Sequence, residues 1–131
     1  MVETLSKQGT LFERDERGQL IPIEIILETL PDTPRVRLLP LTRGEVLKMR
    51  LVAKDPEKVS EQDKDIVLNK CIEPKYTTDE IEFVKPKILT AIVLGVLSLS
   101  LDIPQQQLLN MAVRNEGGLG HVVLDELTKK K

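Results

Sequence analysis

The sequence predicts an α+β fold that is mainly α: an N-terminal β-hairpin followed by a compact bundle of five or six helices around a buried helix at 87–101. Three observations predict it. The stretch Ile88–Leu101 carries no charge, and ten of its fourteen positions are Ile, Leu, Val or Ala. Upstream, short apolar and β-branched runs flank Pro31-Asp32-Thr33-Pro34, whose two prolines and Asp favour a turn. Between the two, Thr42-Arg43-Gly44-Glu45 has the form of a capping box and Thr77-Thr78-Asp79-Glu80 that of a helix start.

Composition bounds the rest. A chain of 131 residues fits one domain and can remove roughly two-thirds of its unfolded surface from water. Hydrophobic residues at 40% and charged residues at 31% are the balance of a globular chain. Only Phe12, Phe83 and Tyr76 are aromatic, so the core must be aliphatic and stacking platforms for single-stranded nucleic acid are scarce. A net charge of -2 and a pI near 5.5 supply no positive field for phosphate backbones or anionic lipid, so neither nucleic acid nor membrane is an expected partner. Cys71 has no cysteine to pair with, and Met1-Val2-Glu3-Thr4 lacks the features of a secretory signal. An intracellular location is expected.

Residues 1–18 end in the mixed-charge run Glu13–Gly18, which reads as a solvated lead-in or a turn before the first strand, and are expected to be loosely ordered; residues 19–131 read as one domain. Within it, the hairpin occupies 20–41 and the helical part 43–128. With Pro31–Pro34 as the loop, Leu30 faces Arg35, Glu28 faces Arg37, Leu27 faces Leu38 and Ile26 faces Leu39, apolar to apolar and acid to base. Pro22 and Pro40 lack the amide proton of a central strand and predict an edge or free-standing ribbon.

A first helix starts after Thr42 and ends at Lys54-Asp55-Pro56, because the residue before a proline resists helical geometry. Val46, Leu47, Met49, Arg50 and Val52 give it an imperfect apolar face. A second starts at Ser60-Glu61-Gln62-Asp63 and runs to Glu73-Pro74, with Val67 and Cys71 on one face. A short third passes through Ile81, Phe83 and Val84, and Pro86 either kinks it or starts the next. Ile88–Leu101 as a helix is about 21 Å long, short of the roughly 30 Å of a bilayer's hydrocarbon core, so burial inside the fold is the reading. Gly95 within it costs up to about 1 kcal/mol against alanine and signals a close helix crossing. Asp102-Ile103-Pro104 breaks this helix and starts another through Leu108, Leu109, Ala112 and Val113, stopped by Asn115–Gly118. His121–Leu127 forms a last short helix before Lys129-Lys130-Lys131.

Familiar catalytic patterns are scarce. One His and one Cys make no zinc site of ordinary composition, and Cys71 on an apolar face reads as a small buried hydrophobe. Gly117-Gly118-Leu119-Gly120-His121 follows no strand and brings no Lys-Ser/Thr, so it reads as a connection and not a phosphate loop. No pair of carboxylates stands out, and neither an enzyme nor a cofactor is expected. The alternative reading is a helix-turn-helix over Ile92–Asn115, whose second helix would present Gln105, Gln106, Gln107, Asn110 and Arg114 to base edges. Arg114 alone is basic there, too little charge for a duplex backbone.

In order, Gln19–Ile25, then Val36-Arg37-Leu38-Leu39-Pro40-Leu41-Thr42-Arg43-Gly44-Glu45, then Asp65-Ile66-Val67-Leu68, Ile72–Thr77 and a helix ending in Ser100-Leu101-Asp102-Ile103 resemble tail assembly chaperones of long-tailed bacteriophages and prophages. The likeness covers about residues 19–104 and rests on order and pattern. It implies a non-catalytic viral protein in the cytoplasm of the bacterial host, absent from the mature virion, that keeps the tape-measure protein soluble during tail assembly. A longer frameshifted form that recruits the tail-tube protein is common among such relatives; Lys129–Lys131 reads either as the trace of an A-rich slippery run or as a plain solubilising tail. Self-association is compatible with the resemblance. The candidate partner-binding residues are the apolar positions of the last two helices: Leu108, Leu109, Met111, Ala112, Val123, Leu124 and Leu127. Covering the Ile88–Leu101 helix is the competing role for the same side chains.

Overall fold

The computed structural model describes residues 4–7, 10–52 and 56–114. In chain order the elements are β1 (Ile23–Ile26), β2 (Arg35–Leu38), α1 (Arg43–Val52), α2 (Pro56–Lys70), β3 (Cys71–Glu73), α3 (Thr78–Ile81), α4 (Pro86–Leu101) and α5 (Gln105–Arg114). The fold is α+β, with one three-stranded antiparallel sheet in the order β1-β2-β3 and five helices among the described residues.

The chain enters through a tight turn. Asp15 N–H donates to the Gln19 carbonyl at 2.8 Å, the Asp15 carboxylate accepts from the amides of Arg17 and Gln19, and Gly18 takes a φ of 80°, which suits a residue without Cβ. Part of the predicted lead-in is therefore a defined turn whose Arg14 bridges Leu20.

The hairpin forms in a different register from the predicted one. Ile23 pairs with Leu38, Glu24 with Arg37, Ile25 with Val36 and Ile26 with Arg35, four residues away from the expected pairing. The shift keeps an acid opposite Arg37 and an apolar residue opposite Leu38, and replaces Thr29 by Ile25 opposite Val36, so cross-strand chemistry separates the two registers only weakly. Core burial decides. Leu27, at the last hydrogen bond of the ladder, and Leu30 in the loop turn inward, 1% and 8% exposed, and the loop between the strands lengthens to hold them, with Thr33 at a φ of 42°. Pro22 and Pro40 lie outside the strands, which leaves β2 free to be central.

The third strand was not expected. Helix α2 begins at Pro56, one turn before Ser60, and stops at Lys70; Cys71 is the first residue of β3, not the last of a helix face. Lys70 C=O accepts from Leu39 N–H at 2.8 Å, Leu38 pairs with Cys71, and Arg37 pairs with Glu73, their side chains 3.8 Å apart. The Glu73–Pro74 peptide is cis. Both Thr caps form as boxes. Thr42 N–H donates to Glu45 Oε1 (2.9 Å) and Glu45 N–H to Thr42 Oγ1 (3.3 Å); Thr77 and Glu80 exchange the same pair at 3.0 and 3.1 Å. Pro86 starts α4 and does not kink α3.

Helix α4 is the centre of the core, with Ala91–Leu97 buried throughout. It packs against α2 and α5, and its Gly95 lies on the sheet: a Cβ there would stand 2.8 Å from Ile25 Cδ1 and 2.9 Å from Leu38 Cδ1. The close crossing is helix on sheet, where a helix neighbour was expected. Ser100 ties the helix to the β2–α1 connection, accepting from Leu41 N–H at 2.8 Å and donating to Val96 C=O at 2.7 Å. Asp102 closes α4 in the left-handed region, φ 55°, and α5 leaves at a bend of 113°. No single helix among the described residues is long and apolar enough to cross a membrane. The expected helix at His121–Leu127 and the glycine run at 117–120 lie outside the described residues.

Candidate functional site

A groove runs between α1 and α2. Its position follows from two local features. The capping box starts α1 at Arg43, and Lys70, the last residue of α2, reaches back to Glu45 with Nζ 2.8 Å from Oε1. This ion pair clamps the first turn of α1 to the last turn of α2. Burial works against the Glu45 carboxylate, but the hydrogen bonds from Lys70 and from the Thr42 amide outweigh it and hold its carboxyl below the usual value.

The groove encloses a cavity of about 290 Å³. Leu41, Met49 and Ile66 lie at its base, each 5% exposed or less and part of the core, and Lys48, Glu61, Asp65 and Asn69 stand at the rim. A mixed-charge rim over an apolar base suits the charged flank of an amphipathic helix. Leu47, 39% exposed, is two positions from Met49 and so faces away from the groove. That exposure is legible in the sequence: Val46, Leu47 and Met49 span too wide an arc of α1 for all of them to face one core.

A second exposed apolar feature is Phe83, 87% exposed, beside a shallow depression lined by Tyr76, Val84 and Ile88. The short α3 ends at Ile81, so Phe83 falls in the link to α4 and not on the core side of a helix. The expected apolar run through Ile81, Phe83 and Val84 divides there, with Ile81 buried and Phe83 outside.

Of the expected partner-binding residues, Leu108 is fully buried and Met111 is 9% exposed; both belong to the core. Leu109 is half-buried against it. The side chain of Ala112, and all of Val123, Leu124 and Leu127, lie outside the described residues. Among the side chains that a base-reading helix would present, Gln105 is turned inward at 5% exposure, and Gln106 donates to Asn110 Oδ1 at 3.2 Å.

Chemically the described residues hold few reactive groups. Burial pushes the Cys71 thiol up to about 11, and the thiol donates to the Pro74 carbonyl at 3.0 Å. Asp63 on α2 has a carboxyl raised to about 6 by burial, with Oδ1 shielded and lacking a hydrogen-bond partner. No group of three or more His, Cys, Asp or Glu that could hold a metal ion occurs among the described residues.

No family model matches the chain, and neither a curated protein nor a solved structure is found similar to it.

Proposed function

We propose that this chain is a tail assembly chaperone of a long-tailed bacteriophage or prophage, a non-catalytic protein that binds the tape-measure protein and keeps it soluble while the tail assembles. The observation that carries the reading is the α1–α2 groove, whose mixed-charge rim of Lys48, Glu61, Asp65 and Asn69 suits the charged flank of a helical partner. The order of segments over residues 19–104 supports the same reading. On this proposal the protein acts in the cytoplasm of the bacterial host and stays out of the mature virion. A longer frameshifted form would bring in the tail-tube protein, and self-association would multiply the grooves offered to one long partner. The inward turn of Gln105 weighs against the DNA-binding alternative, because it removes one of the few side chains able to read a base.

Co-expression with a tape-measure protein from the same genome tests it. The expected outcome is a larger soluble fraction of the tape measure, lost with the double variant Glu61→Arg, Asp65→Arg. These two exposed rim positions, one helical turn apart, would then hold bulky cations over the groove. A tape measure equally insoluble with and without the chain overturns the proposal.

A further inference from the structure

The edge of β1 is closed by a side chain. Leu27 N–H donates to the Pro34 carbonyl at 2.9 Å, which continues the β1–β2 ladder one pair past Ile26–Arg35. In an antiparallel pair the hydrogen-bonding residues alternate, so Ile23, Ile25 and Leu27 aim their backbone groups at β2, while Glu24, Ile26 and Glu28 aim theirs away from it. Two of those outward groups are taken by one residue from the far end of the fold. Gln105, the first residue of α5, donates from Nε2 to the Ile26 carbonyl at 2.8 Å and accepts at Oε1 from Glu28 N–H at 3.1 Å. A residue of an added strand offers one N–H and one C=O, and bridges positions two apart on its neighbour when the pairing is parallel. The carboxamide offers the same pair at the same spacing. It is held there by burial: Gln105 is 5% exposed, next to Leu108 of the core on the same helix.

Before β1 the chain makes its own turn at 15–18, with Ile21 N–H donating to the Glu13 carbonyl. What lies between is a four-residue strand with Ile23 and Ile26 exposed at 37% and 45%, short and apolar, of the kind that pairs with extended chain unless its edge is blocked.

We propose that Gln105 is an edge guard, a carboxamide standing in for a strand residue that keeps β1 from pairing with β1 of a second copy of this chain. The pairing that it blocks is two-fold antiparallel, with Ile25 opposite its copy and each Glu24 opposite an Ile26, so that no like charges meet. The inference does not rest on the chaperone reading. It predicts that α5 regulates association through one side chain, since any movement of α5 that withdraws Gln105 uncovers the edge.

Gln105→Ala and Gln105→Leu test it on the full chain, the leucine variant keeping side-chain volume in the core. The expected result has three parts. The Glu28 amide exchanges about tenfold faster in both variants, as the loss of one hydrogen bond dictates. Both variants gain a concentration-dependent dimer in sedimentation that the wild type lacks. Adding Glu24→Pro, which removes an outward N–H at the edge, abolishes that dimer. Folded variants that sediment as the wild type does overturn the proposal, as does a dimer indifferent to Glu24→Pro or a wild type already paired through β1. Failure of both variants to fold overturns it too, because Gln105 is then a structural core member and not a guard.

Discussion

Asp63 sits in an environment that its type does not prefer. A carboxylate with a shielded, unpartnered oxygen is costly, and burial raises its carboxyl from 3.8 to about 6. The folded state therefore binds its proton more tightly than the unfolded chain does. Stability from this group is intact below about pH 4, falls as pH rises from 3.8 to 6, and is fully lost above, a penalty on the order of 2 kcal/mol. Asp63→Asn is accordingly expected to raise the denaturation midpoint at pH 8 and leave it unchanged near pH 3.5. Equal shifts at both pH values would show that charge is not the cause. Glu45 has the opposite sign, its lowered carboxyl supporting the fold above about pH 4.5 and ceasing to do so in acid. That contribution is common to wild type and variant and cancels in the comparison. The Asp63 shift is not legible in the sequence, because it depends on what surrounds a helix position; the Glu45 shift is legible only in its Thr42 part, since Lys70 lies 25 positions away.

At the scale of elements, the starts led by threonine are easier to read than either end of α2. Thr42 and Thr77 announce α1 and α3 because a cap and its partner lie three residues apart, a distance within reach of sequence. Thr42→Ala and Thr77→Ala should each destabilise the fold by about 1 kcal/mol. In a thermal melt, the Thr42 variant should also show a weaker Glu45–Lys70 clamp through its response to added salt, since the box holds Glu45 in place. A Thr42 variant with the wild-type melting temperature would remove the cap from the account. The end of α2 was misread because Cys71 keeps a helical spacing from Val67. Only the pairing of Leu38 with Cys71 and of Leu39 with Lys70 converts the next three residues into a strand. A strand of three residues has almost no periodicity to detect, and its partner lies more than thirty positions away.

For the molecule as a whole, the organising contact is α4 on the sheet. Leu27, Leu38 and Ile25 reach over Gly95, so the helix can approach only where a side chain is missing. Gly95→Ala would place its methyl against the ends of flexible side chains, and the gain in helix propensity offsets much of that overpacking. Gly95→Leu has no such offset and is expected to cost about 3 kcal/mol, with loss of the close approach. A leucine variant as stable as the alanine variant in urea denaturation would mean that helix and sheet separate easily.

The sequence by itself determined that Ile88–Leu101 is a buried helix, that a box at Thr42 and a Thr-led segment at 77 start helices, and that a hairpin precedes them. These follow from local chemistry: an uncharged run must leave water, and a cap needs only its own first turn. The tertiary structure alone decided the hairpin's register, the third strand, the inward turn of Leu108, Met111 and Gln105, and the exposure of Phe83. Each of these is a choice between arrangements that satisfy local rules equally well. The choice is made by burial against segments distant in the chain, through contacts such as Gln105 with β1 across 79 positions.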